Sequence, residues 1–409
     1  MKNLALFLPL VAFCWGCNGD NALEPVSDEG TGTTEVANAR LNIELKSQEK
    51  TWVLNGNSFA MRLFDAICED SEEENVLISP LSLQIALGML SNGANETGLN
   101  EITSVLGFEN YSQDEVNNYF GKLISSLAEG DPSVNLNQAN SAWIQNDYVI
   151  QEAFIQAFVE HYSAQVNRVD FSQAAEVKKM INDWCSEQTA GKINNLDLSI
   201  NDFTRLVLAN AFYLKGSWTI PFNSVEKGTF TTSEGEKQDV DLMKLENTFN
   251  YNSGTHYQAV ELPYGNESFS MVAVLPAEGK SVEEAAVAID WEHIRFGGRQ
   301  VEVAMPKFKL GNHVELAEIL KKMGIKEVFR TLPNIASDLF VSRVFQDMYI
   351  ETNETGTEAA AVTVIGIDIA GGPDSPAHIE MKMDRPFLFV IRENSTGIIL
   401  FMGKVGSVN

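Results

Sequence analysis

Cysteine is nearly missing from this chain. Four occur in 409 residues, and Cys14 and Cys17 lie at the extreme N-terminus. The remaining two, Cys68 and Cys185, can form one bridge at most, which is no disulfide framework, and both read as free thiols. Basic residues are also scarce: 29 lysines and arginines stand against 56 aspartates and glutamates, a formal charge of −27 at neutral pH. Such a chain is repelled by nucleic acid and by an anionic membrane surface, which disfavours both as partners. After Phe13 no apolar run is long enough to span a bilayer. The Gly-x-Ser-x-Gly elbow, His-Glu-x-x-His, the phosphate loop and Gly-x-Gly-x-x-Gly are all missing. His161, His256, His293, His313 and His378 show no ligand spacing. No cofactor, metal centre or catalytic set is expected, and the chain does not read as an enzyme.

What is present begins with export chemistry. Lys2 precedes an apolar run from Leu4 to Phe13, and Cys14-Trp15-Gly16-Cys17 follows. A short basic start, an apolar centre and a small residue before the cut make residues 1–16 a secretory signal. The cysteine after Gly16 resembles a bacterial lipobox, with Cys14 where Leu is usual and Trp15 where a smaller residue is usual. Cys17 is therefore expected to become a lipid-modified N-terminus, with plain secretion as the alternative. Membrane attachment would run through that anchor alone, facing the periplasm or the cell surface. Residues 17–50 are acidic, rich in Gly, Thr and Asn and poor in large apolar groups, which is a tether composition. The rest is the folded body. At 44% hydrophobic content the chain suffices for one large core or two ordinary domains.

Within the body, helical and strand patterns interleave without an internal repeat. Asn57–Cys68 places Phe59, Leu63, Phe64 and Ile67 on one helical face. Ser79-Pro80 is an N-cap and first-turn signal for a helix carrying Leu83, Leu87 and Leu90 and ending at Gly93. Val134–Gln145 alternates like a strand, Glu152–Val169 is a helix with an extended end, and Val177–Gln188 is another helix. Arg205–Lys215 is an almost continuous apolar run of strand type, so it should be buried on both faces, and Asn210 within it must find partners. Tyr257–Pro276 and Phe387–Lys404 read as hairpins, Val301–Leu310 as one alternating strand, Val314–Met323 as a helix closed by Gly324, and Arg343–Thr352 as a strand.

One stretch stands apart. Glu354–Ile369 reads ETGTEAAAVTVIGIDI, and Ala370-Gly371-Gly372-Pro373 follows it. From Thr357, every second residue through Ala359, Ala361, Thr363, Ile365 and Ile367 is small or apolar, a period-two pattern. Alanine and glycine make a poor resident strand. They suit a segment that slides between two existing strands. Alone, the stretch reads as a weak strand before a Gly-Pro loop. With its acidic residue, Gly-Thr-Glu and run of alanines, it resembles the hinge of the serpin reactive-centre loop. Asn75 with three apolar residues and Ser79-Pro80-Leu81-Ser82, Gly191–Leu196, Asn210 within its apolar run, Gly216-Ser217-Trp218 and Pro221-Phe222 follow that family's order too.

The resemblance covers Trp52 to the end and implies an α+β fold, a single domain over residues 51–409. Its helices would pack on three β-sheets, with an exposed, insertable reactive-centre loop at about 354–380. It makes Glu354, Gly356, Thr357, Glu358, Ala359, Ala360 and Ala361 the hinge. Ser79, Ser82, Asn210 and Gln346 would lie where the central sheet parts, and Trp218 and Lys307, with Glu354, at its top. Gln346 stands where many members carry histidine, and Val362 is bulkier than usual. The implied function is irreversible, suicide-substrate inhibition of a protease, the sole partner of a monomer. Counting from Gly356 as the family does puts the scissile bond at Ala370–Gly371; counting back from Pro386 points to Ser375–Pro376, a poor site for most proteases. Ile369-Ala370 suits elastase-like or subtilisin-like serine proteases, Ile369 also suits papain-like cysteine proteases, and Asp368 leaves an Asp-specific target as a minor alternative. A non-inhibitory binding or carrier member is the second reading.

Overall fold

The run RLVLANAFYLK becomes β4 (Leu206–Ser217), buried from Leu206 through Leu214 and exposed first at Lys215. A strand apolar on both faces needs cover above and below. Below it lies α2 (Pro80–Ser91), whose every residue is buried. Above it lies α6 (Ala174–Gln188), which packs Val177, Ile181, Trp184 and Cys185 against Val207, Ala209, Ala211 and Phe345 of the sheet. The computed structural model of the chain describes residues 39–108, 111–193, 196, 198–357 and 378–408.

β4 sits inside a six-stranded sheet with β2 (Val134–Gln145), β3 (Gln165–Val169), β10 (Phe308–Glu315), β11 (Arg343–Asn353) and β12 (Gly356–Thr357), in the order β10-β11-β12-β4-β2-β3. A nine-stranded sheet holds β1 (Val76–Ile78), β5 (Ser224–Thr231), β6 (Lys237–Ser253), β7 (Tyr257–Tyr264), β8 (Phe269–Pro276), β9 (Gly297–Pro306), β13 (Ile379–Lys382), β14 (Phe387–Glu393) and β15 (Ile399–Val405). The remaining helices are α1 (Ser47–Asp70), α3 (Glu96–Leu106), α4 (Gln113–Ala128), α5 (Glu152–Tyr162), α7 (Val282–Ala288) and α8 (Ala317–Met323). The α+β class holds. Two sheets stand where three were expected, because β6 pairs with β5 through residues 237–244 and with β7 through 250–253, so one long strand joins both sets into a single sheet. Cys68 and Cys185 are free.

Three local readings are corrected. Val301–Leu310 is not one strand. It breaks at Lys307, because Pro306 has no N–H to continue a ladder and the Lys307 N–H turns to the Asp241 carbonyl at 3.1 Å. β9 and β10 then enter different sheets. The helix expected from Val314 starts at Ala317, since Val314 and Glu315 remain paired with Gln346 and Phe345 of β11. Residues 39–50, expected as tether, belong to the folded body. Ile43 is buried, the Leu41 and Ile43 N–H groups donate to the Ser268 and Ser395 hydroxyls at 2.8 and 3.0 Å, and α1 starts at Ser47.

Candidate functional site

The expected site residues that the structure describes gather where β4 and β11 separate. The two strands pair in parallel from Arg343↔Val207 up to Tyr349↔Tyr213. Above that point they part, and β12 lies between them, antiparallel to both: Thr357 faces Thr352 on one side and Gly216 on the other, and Gly356 faces Asn353 and Ser217. Gly356 and Thr357 of the hinge are thus already strand. Tyr349 and Tyr213 are 136 positions apart, and so are Thr352 and Gly216 across Thr357. Prising β4 from β11 to admit more strand therefore demands no slip in register.

Each side chain at this head has a defined task. Gly356 has φ +152°, and a Cβ there would stand 2.1 Å from the Gly216 carbonyl oxygen, so only glycine fits between the strands. The Thr355 N–H and hydroxyl both donate to Asn353 Oδ1, at 2.9 and 2.8 Å, which makes the tight turn into β12. Trp218 donates its backbone N–H to the Thr355 carbonyl at 2.9 Å and its indole N–H to the Asn353 carbonyl at 3.0 Å. Lys307 Nζ meets the Glu354 carboxylate at 2.5 Å. Partial burial works against that charge, but the Lys307 bond and its charge outweigh it and hold the Glu354 carboxyl below the ordinary glutamate range. With both side chains about a third exposed, the pair orients the turn more than it stabilises it.

Lower down, a polar row crosses the sheet at one level. Asn140, Asn210 and Gln346 are register neighbours on β2, β4 and β11. Asn210 Nδ2 donates to Asn140 Oδ1 at 2.7 Å, and Gln346 Nε2 donates to Asn210 Oδ1 at 3.4 Å and to the Ser79 carbonyl at 2.8 Å. Ser79 does not cap α2 with its side chain, as its position before Pro80 suggested; the hydroxyl donates to the Leu400 carbonyl of β15 at 2.8 Å instead. Ser82 is fully buried nearby, and its hydroxyl has no hydrogen-bond partner among the described residues. On the opposite face, toward α6, Asp347 is buried with Oδ1 2.7 Å from His313 Nδ1, and burial raises its carboxyl above the ordinary range.

Asn140, Tyr264 and Asp347 were not anticipated. Asn140 had a weak signal, as an amide within an alternating strand; Tyr264 had only its place before the Gly265-Asn266 turn. Glu358, Ala359, Ala360, Ala361, Asp368, Ile369, Ala370, Gly371, Ser375 and Cys17 lie outside the described residues.

The family model described as serpin (serine protease inhibitor) matches residues 54–408. The chain belongs to the serpin family. Chicken (Gallus gallus) neuroserpin is 31% identical over 370 residues, covering 85% of this chain and 89% of the relative. The native-state structure of tengpin, a thermophilic serpin, superposes with a TM-score of 0.81 at 28% identity, over 91% of this chain and 97% of tengpin. Human thyroxine-binding globulin in complex with thyroxine gives a TM-score of 0.80 at 26% identity, over 89% and 100%. Serpins generally bind target proteases, and many inhibit them, while thyroxine-binding globulin shows the same fold with thyroxine bound.

Proposed function

We propose that this serpin is an irreversible suicide-substrate inhibitor of elastase-like or subtilisin-like serine proteases and of papain-like cysteine proteases. The observation that carries the reading is the half-seated hinge, Gly356–Thr357, at the head of a cleft whose two walls already hold the register for a longer strand. The protease serine or cysteine attacks the Ala370 carbonyl carbon, the Ala370–Gly371 C–N bond breaks, and the Gly371 amine leaves with a proton, so Ala370 is esterified to the enzyme. Strand then grows from Thr357. Continuing its pairing on both sides brings Thr363 opposite Asn210 and Gln346 together, so a hydroxyl arrives where the polar row must be interrupted. Roughly a dozen new backbone hydrogen bonds at about 1 kcal/mol net each, with burial of Ile365 and Ile367, release on the order of ten kcal/mol. That suffices to distort the tethered enzyme before it deacylates.

Trypsin-like targets are disfavoured, because no Lys or Arg lies between Thr357 and Lys382. Export through residues 1–16 and a lipid on Cys17 would hold the inhibitor at a membrane surface as a monomer. The test is a denaturing gel with intact mass after mixing the pure protein with an elastase and, separately, a papain-like protease. A covalent adduct and a released peptide beginning at Gly371 are expected. Clean cleavage without an adduct would overturn inhibition and favour the second reading, a non-inhibitory carrier, which the likeness to thyroxine-binding globulin keeps in view.

A further inference from the structure

Tyr264 belongs to the nine-stranded sheet, yet its hydroxyl lies 2.7 Å from Oγ1 of Thr357 in the six-stranded one, and both residues are wholly buried. We infer that Tyr264 is a positioning residue that latches the hinge into the cleft before any protease arrives and so sets how often cleavage ends in a trapped complex. This inference rests on the inhibitor reading above.

Three facts support a prebuilt latch. First, the ring is placed without help from Thr357. It stacks on Trp218 with centroids 4.5 Å apart and 13° between planes, and Trp218 also forms a β-bridge with Tyr264. The neighbouring backbone is tied down as well: the Gly265 N–H donates to the Ser217 carbonyl at 2.8 Å and the Thr219 N–H to the Pro263 carbonyl at 2.9 Å. Second, the hydroxyl is dry. Burial raises the phenol, so it stays protonated and able to donate or accept, and in a water-free site an unmade bond is costly to both partners. Third, Thr357 keeps its neighbours Thr352 and Gly216 when strand grows beyond it, so the bond made in the resting protein persists in the inserted one. Insertion therefore starts from a formed first step rather than from an open edge, and the race against deacylation begins with a lead.

Tyr264→Phe removes the hydroxyl and keeps the stack on Trp218. Hydrogen exchange in the intact protein is read at the Gly356 and Thr357 amides, and stoichiometry of inhibition with elastase is read alongside. The latch predicts hinge exchange about five- to tenfold faster, the worth of one buried hydrogen bond, with unchanged exchange in β8. It also predicts more protease turnover events per adduct, with no change in the KM for loop cleavage. Thr357→Val should act alike, and the double variant no worse than either. Unaltered hinge exchange in Tyr264→Phe, or additive effects in the double variant, would overturn the latch. If Tyr264→Phe does not fold, Thr357→Val tests the same bond from the hinge side. A wild-type protein that forms no adduct sinks the inhibitor reading and with it the role in trapping, while exchange still decides the latch itself.

Discussion

Gln346 Nε2 lies 2.8 Å from the Ser79 carbonyl, which fastens the strand on one side of the cleft to the first turn of the buried helix α2. The same amide nitrogen reaches Asn210 across the β4–β11 seam. One side chain thus closes the sheet and ties it to what lies beneath. Gln346→Leu should leave the Ser79 N–H without its Gln346 Oε1 acceptor and Asn210 Oδ1 without its Gln346 donor in a buried place, while the Ser79 carbonyl keeps only the Leu83 N–H. The expected loss is about 1–3 kcal/mol, measured as a lower urea midpoint. Equal stability would show that the seam is held elsewhere.

Much of this arrangement was legible in the chain. Ser79, Lys307, Gln346 and the neighbouring pair Asn210 and Trp218 come from four distant stretches and were expected at one sheet; β4, α2 and both hairpins follow from apolar runs and turn residues that speak for themselves. The misses have physical causes. Tyr264 matters through a hydroxyl pair between two sheets, and no local pattern reports a partner 93 positions away. The break at Lys307 turns on where one backbone N–H goes, while the alternation of side chains runs straight through it. Residues 39–50 look like a tether by composition, but two serine hydroxyls from distant turns hold their backbone in place.

Thr357→Arg should convert the protein from inhibitor to substrate. Thr357 is fully buried against Tyr264, so a guanidinium there would put a charge where a hydroxyl now sits. Burying an unpaired charge costs several kcal/mol at least, so β12 leaves the cleft and the first insertion step is blocked. A gel should show the loop cleaved and the protease free. An undiminished adduct would sink the insertion mechanism.

Cleavage within the loop should raise the thermal midpoint sharply. The gain comes from the order-ten kcal/mol of new strand pairing and burial, released without any bound enzyme. Scanning calorimetry of intact and nicked protein decides it. An unchanged midpoint would mean that the strand does not grow past Thr357.

Asp347 supplies a pH dependence whose sign can be worked out. Burial raises its carboxyl, only partly offset by the bond and charge of His313, so the folded value lies above the unfolded one. Its contribution to stability is fully present below the ordinary aspartate range, about 4, and is lost as pH rises through the raised value, where a carboxylate must be held in a dry place. His313 in turn meets Glu315, which pairs with Arg343, and the Cys185 thiol of α6 is pushed up by burial first and by Asp347 second. Asp347→Asn keeps an acceptor for the imidazole and removes the charge. At pH 7 the variant should therefore have the higher urea midpoint, and its lead should shrink as pH falls toward 4. The same pair of titrations in a His313→Gln background separates the carboxyl from its partner, where the lead at pH 7 should widen. A wild-type midpoint that equals or exceeds that of the variant at pH 7 would show that the His313 ion pair outweighs burial at this position.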